Sequence, residues 1–162
     1  MIYRNKDGSS FKNNLFGLPI FGFMNKRIKI ECMISKECWD EDTITDYNSK
    51  NRLFKIKSIN GSSIEILFTP EPNIIDTFNL FVNYNDNLKK YTYICNVKAD
   101  TKFSVYIKKN KSGIYLSVLK PKRVFSRKIN SIIKIGFYYI LGPKYKNEYE
   151  INNESIIKLK KV

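Results

Sequence analysis

The sequence predicts an all-β protein, folded as an antiparallel β-sandwich with a barrel as the second choice and with little helix. β-Branched and aromatic residues recur in short runs closed by Asn, Asp, Gly or Pro, at a spacing that suits sandwiches and barrels, while helical signals are scarce. Two pairs of neighbouring runs can also be aligned as hairpins down to their register.

In chain order, the first feature is an apolar stretch, residues 11–24, that lacks clean alternation and carries Phe11, Phe16, Phe21 and Phe23. Such a run is either a first strand packed into the chain's own core or an arm that docks on a neighbouring subunit. Residues 1–24 are therefore read as an N-terminal apolar arm or first strand, and residues 25–162 as a single β domain. Candidate strands follow at 27–34, 52–58, 63–69, 78–84, 88–98, 102–109, 114–120, 132–141, 144–151 and 155–161. No internal repeat or Gly-, Ser- or Pro-rich linker interrupts them, and 162 residues suit one domain with a substantial core.

The hairpin at Asn60-Gly61 is best built on a three-residue loop, Ile59, Asn60 and Gly61, with glycine at the left-handed position. That register sets Ile56 against Ile64 and Phe54 against Ile66 on one face, and Lys55 against Glu65 on the other. A two-residue loop would mix lysines into the apolar face. The second hairpin turns through Asn110, Lys111, Ser112 and Gly113. It aligns Ile107 with Leu116 and Val105 with Val118, and Phe103 and Ile114 extend that face. Its other face then carries Ser104, Tyr106, Lys108, Tyr115, Ser117 and Leu119.

Hydrophobic residues make up 43% and aromatics 14%, which favours a real core over disorder despite a net charge of +14. The lysine total is weak evidence of function: 24 Lys against 5 Arg, 23 Ile, 18 Asn, no Gln and a single alanine, Ala99, follow A- and T-rich codons. The distribution of charge is more telling. Residues 1–80 carry 11 basic and 10 acidic side chains, whereas residues 81–162 carry 18 and 5. From Thr101 to Asn147 there are 12 basic residues and no acid. A field of that kind attracts phosphate backbones, acidic protein surfaces or anionic membranes without choosing among them.

Catalytic chemistry finds little support. There is no histidine, which removes the commonest general base and metal ligand. Cys32, Cys38 and Cys95 fit neither a paired-cysteine zinc pattern nor a dense disulfide framework, and are expected to be structural thiols in a reducing compartment. The acidic run Glu37, Asp40, Glu41, Asp42 and Asp46 lacks the glycine and closing glutamate of an EF-hand and reads as a solvated loop. No glycine-rich phosphate loop occurs. Leu15 to Met24 runs into Asn25, Lys26 and Arg27 without a small-residue cleavage site, which speaks against a signal peptide, and no stretch reaches the length of a spanning helix. No catalytic residue, cofactor or metal is therefore expected.

What remains is a combination of basic and aromatic residues. Lys120, Lys122, Arg123, Arg127 and Lys128 cluster around Pro121, beside the hairpin face that holds Tyr106, Lys108 and Tyr115. The preferred expectation is a non-enzymatic structural or interaction subunit of an oligomeric assembly, of the virion type, located inside the cell or in a virion. The basic cluster and face would bind nucleic acid or an acidic protein surface, and Phe11, Phe16, Phe21 and Phe23 would form a partner arm. The alternative is a nucleic-acid-binding β module that uses the basic stretch 101–147, with phosphates on lysines and bases stacked on tyrosines.

Overall fold

The structure, a computed structural model, describes residues 2–5, 20–23, 27–39, 51–58, 61–84, 91–110, 113–120, 123–129, 137–141 and 155–161. Its strands are β1 (Ile2–Asn5), β2 (Ile20–Phe23), β3 (Arg27–Ile34), β4 (Asn51–Ser58), β5 (Ser63–Pro70), β6 (Thr77–Tyr84), β7 (Thr92–Lys98), β8 (Phe103–Asn110), β9 (Gly113–Lys120), β10 (Arg123–Ile129), β11 (Phe137–Leu141) and β12 (Ser155–Lys161). A 3-10 turn at Lys36–Cys38 follows β3.

The strands form two six-stranded sheets, so the architecture is a sandwich and not a closed barrel. Sheet A has the order β1-β12-β3-β8-β9-β10 and sheet B the order β2-β11-β4-β5-β6-β7, with every pairing antiparallel. The consecutive strands β4 to β7 and β8 to β10 are joined as hairpins. β11 and β12 return from late in the chain to lie between strands made early.

Both hairpin registers match the sequence expectation. Ile56 pairs with Ile64, Phe54 with Ile66 and Lys55 with Glu65. Gly61 takes φ +91, the left-handed position the three-residue loop needs. In the second hairpin Ile107 pairs with Leu116 and Val105 with Val118. The inward residues of these strands meet those of β3, namely Ile28, Ile30, Cys32 and Ile34, in one buried cluster that includes Phe54, Phe68 and Phe78. The Phe68 and Phe78 rings meet edge to face, 5.6 Å between centroids. A bulge opposite Leu80 and Phe81 lets the successive residues Ile94 and Cys95 both enter the core while Tyr93 packs outward against Phe81.

Some elements differ from expectation. β7 begins at Thr92, after Tyr91, and β11 at Phe137; residues 88–90 and 132–136 of the expected runs 88–98 and 132–141 lie outside the described residues. The candidate strand 144–151 lies outside the described residues. β1 and β10 were not anticipated: β1 has four residues, and β10 reads as a basic run, its alternation interrupted by Arg123, Arg127 and Lys128.

Candidate functional site

Strict alternation in β3, β8 and β9 sends Ile28, Ile30, Val105, Ile107, Leu116 and Val118 inward, and so turns their charged and tyrosine neighbours to the opposite face of sheet A. Register then assembles these into cross-strand rows. One runs Arg27, Lys108, Tyr115, Lys128, and the next runs Lys29, Tyr106, Ser117, Ser126. Arg27, Lys108 and Lys128 are exposed, and Lys29, Tyr106 and Tyr115 half-buried. The Lys29 ammonium lies 5.4 Å from the Tyr106 ring centroid, a cation–π contact, and the Ser117 hydroxyl donates to Ser126 Oγ at 2.9 Å. Arg27 stands directly opposite Lys108, a like-charge pairing that costs stability unless a counter-charge is present.

A third row, Glu31, Ser104 and Leu119, borders a recess of about 200 Å³ lined by those residues with Lys102, Phe103 and Lys120. Lys102 forms an ion pair with Glu31 at 3.6 Å. Lys120 donates to Asn96 Oδ1 at 3.2 Å, a contact that ties β9 to the β7 edge of the other sheet.

Thus the structure brings Tyr106, Lys108, Tyr115 and Lys128 onto one face. Lys120 serves the contact between the sheets. Arg123 pairs with Lys120 and Arg127 with Leu116, register positions out of step with the row that holds Lys128. Lys122 lies outside the described residues. The sequence reading missed Arg27 and Lys29, whose signal was the alternation of 27–34 with charged residues in every other place; pairing β3 with β8 required the fold. Of the phenylalanine arm, Phe21 and Phe23 belong to β2, a strand of this chain's own sheet B, paired with Tyr139 and Phe137. Phe11 and Phe16 lie outside the described residues.

Cys32, Cys38 and Cys95 are buried free thiols. Burial pushes the Cys32 thiol well up, reinforced by nearby Glu31; burial also raises Cys95, partly offset by the Lys120 ammonium. Raised thiols are poor nucleophiles at neutral pH. Of the acidic run, Asp40 to Asp46 lies outside the described residues, and among the described residues no group of three or more potential ligands is placed to hold a metal. Among the described residues no helix is long and apolar enough to cross a membrane.

No known protein family's sequence model matches the chain. No curated protein matches it by sequence either. Solved structures resemble its fold. The alginate lyase from Klebsiella pneumoniae is 9% identical with a TM-score of 0.52, over 87% of this chain and 60% of the lyase. The receptor binding domain of botulinum neurotoxin type G is 12% identical with a TM-score of 0.52, over 99% of this chain and 40% of that domain. Galectin-Ib from Xenopus laevis is 11% identical with a TM-score of 0.43, over 99% and 98%. The chain therefore spans less than two thirds of the lyase and of the toxin domain. At these identities the likeness shows a shared jelly-roll-like sandwich, the fold alone.

Proposed function

We propose that this protein is a non-enzymatic interaction subunit of a larger assembly and that the outward face of sheet A is where it meets an acidic partner. The observation that carries this reading is the row Arg27, Lys108, Tyr115, Lys128, in which two cations face each other across β3 and β8 and a third follows on β10. An anionic partner would relieve that repulsion and be steered by the surrounding positive field. A virion-type particle in which the thiols stay reduced is the assembly this proposal has in view. A second reading, a single strand of nucleic acid, is favoured by Tyr106 and Tyr115, which sit among the cations as base-stacking residues would.

Titration of the purified protein with labelled oligothymidylate and with poly-glutamate, each over a salt series, tests both. An acidic partner on sheet A predicts binding that weakens with salt and drops about tenfold or more in the double variant Lys108→Glu, Lys128→Glu. The nucleic-acid reading adds a loss of about 1–3 kcal/mol for Tyr115→Ala with oligothymidylate only. Binding that is indifferent to the double charge reversal would sink the proposal.

A further inference from the structure

The connection between β5 and β6, residues 71–76, is a short loop held from several sides. The Glu71 amide donates to Thr77 O at 2.8 Å, and Glu71 O accepts from Ile74 N and from the Trp39 indole, both at 3.4 Å. The Glu71 carboxylate accepts from the Asn73 amide at 3.4 Å and from the Asn79 side chain. Asp76 takes a left-handed φ of 55, tolerated by aspartate, and its carbonyl accepts from Ala99 N at 2.7 Å. All this order presents two apolar side chains to water: Ile74 is 50% and Ile75 69% exposed. Every other isoleucine whose side chain is described is buried.

Among the described residues the other exposed large hydrophobics are Tyr93, which leans on Phe81, and Leu119, which lies in the recess beside the sheet A face. The recess is larger than an isoleucine side chain, and cationic Lys102 and Lys120 flank Leu119 there. The knob carries the opposite sign, for Asp76 adjoins Ile75 and is exposed. The recess also holds the Glu31 carboxylate, already paired with Lys102, so two cations stand there against one acid. An apolar knob with an acid beside it and a partly apolar recess of net positive charge are complementary. Because the loop is already ordered, little conformational freedom is lost when it docks.

We propose that Ile74 and Ile75 of one copy seat in the Leu119 recess of a second copy, with Asp76 facing Lys102 and Lys120. This rests on the reading of the protein as an assembly subunit and names one of its partners as the chain itself. The contact is head-to-tail: each copy offers one knob and one recess, so copies grow into a chain or close into a ring. Exposed Asp76, next to Ile75, argues against an anionic lipid surface as the occupant.

Sedimentation equilibrium on the full chain, at up to about 1 mM protein and over a salt series, tests this, since a contact of this size is weak and a charge of +14 keeps copies apart until salt screens it. Wild type is expected to self-associate more strongly as salt rises, the opposite of polyanion binding on sheet A. Ile75→Asp and Leu119→Asp are each expected to weaken association about tenfold or more, with Leu119→Ser as a milder second variant and unchanged urea midpoints as the folding control. An equimolar mixture of Ile75→Asp with Leu119→Asp is expected to form dimers and nothing larger, because one retains the recess and the other the knob. A wild type that stays monomeric, loss in Ile75→Asp without loss in the Leu119 variants, or failure of the mixture to pair overturns the proposal. Binding of wild-type monomer to phosphatidylserine vesicles, abolished by Ile75→Asp, overturns it in favour of a lipid surface. In each of these cases polyanion binding that depends on Lys108 and Lys128 still stands or falls separately.

Discussion

The outward faces of the two sheets are built by the same alternation and have different fates. On sheet A most outward positions reach water: Lys108 and Lys128 are exposed and Leu119 is 38% exposed, with Ser104 the buried exception among those described. On sheet B the outward positions Ser63, Leu67 and Asn83 are buried, and Leu67, at 0%, stands apart from the central core cluster. Period-2 patterning therefore identifies which side of a strand faces the opposing sheet, but not whether the other side meets solvent. Two leucines in polar slots of their strands, Leu67 and Leu119, report the difference most directly.

The largest effect expected from this contrast is at Leu67. Truncation to alanine should cost about 2–5 kcal/mol through lost burial and a cavity, while Leu119→Ala should stay within about 1 kcal/mol. Equilibrium urea unfolding of both variants compares them, and equal losses would erase the distinction between the faces. A smaller effect of opposite sign is expected at Asn83, whose Oδ1 is buried without a hydrogen-bond partner among the described residues. Since an unmet buried acceptor costs about 1–3 kcal/mol, Asn83→Leu should leave stability unchanged or raise it by about 1 kcal/mol. A marked loss would mean that a bound group satisfies that oxygen.

On the inward side of sheet A, Cys32 sets a pH dependence. Its thiol is raised in the folded state, so below about pH 8.5 both states hold the proton and stability is insensitive to it. Above that, the unfolded chain releases the proton that the folded chain keeps, and stability falls as pH rises. Cys32→Val should make the alkaline decline shallower in urea midpoints taken from about pH 7 to about pH 10. The smallest effect belongs to the exposed face: Lys108→Ser should change stability by no more than about 0.5 kcal/mol. Its sign should be favourable at low salt, because it removes the like-charge pairing with Arg27.

Much of the fold was legible because local chemistry specified it. Gly61 fixed one turn, and the Ile, Val and Phe alternation fixed both hairpin registers. β10 was not legible, since Arg123, Arg127 and Lys128 look like a charge run until β9 supplies a partner. The site was half legible for the same reason. Tyr106, Lys108 and Tyr115 share a hairpin, whereas Arg27 and Lys29 reach them only through the long-range pairing of β3 with β8. The loop bearing Ile74 and Ile75 gave no local sign of exposure, because isoleucine elsewhere in this chain means core.

The return of β11 and β12 to interior positions has a consequence for synthesis. β4 finds one neighbour, β5, as soon as the hairpin is made, but its other edge waits for β11, and β3 likewise waits for β12. Between Ser58 and Phe137 lie 78 residues (137 − 58 − 1), which a ribosome adds in about 4–16 s at about 5–20 residues per second. Throughout that interval each sheet is split, with an unpaired hydrogen-bonding edge open to other nascent chains. Crowded translation is thus a condition under which this fold is open to mispairing, and a holdase that shields strand edges would serve it during those seconds.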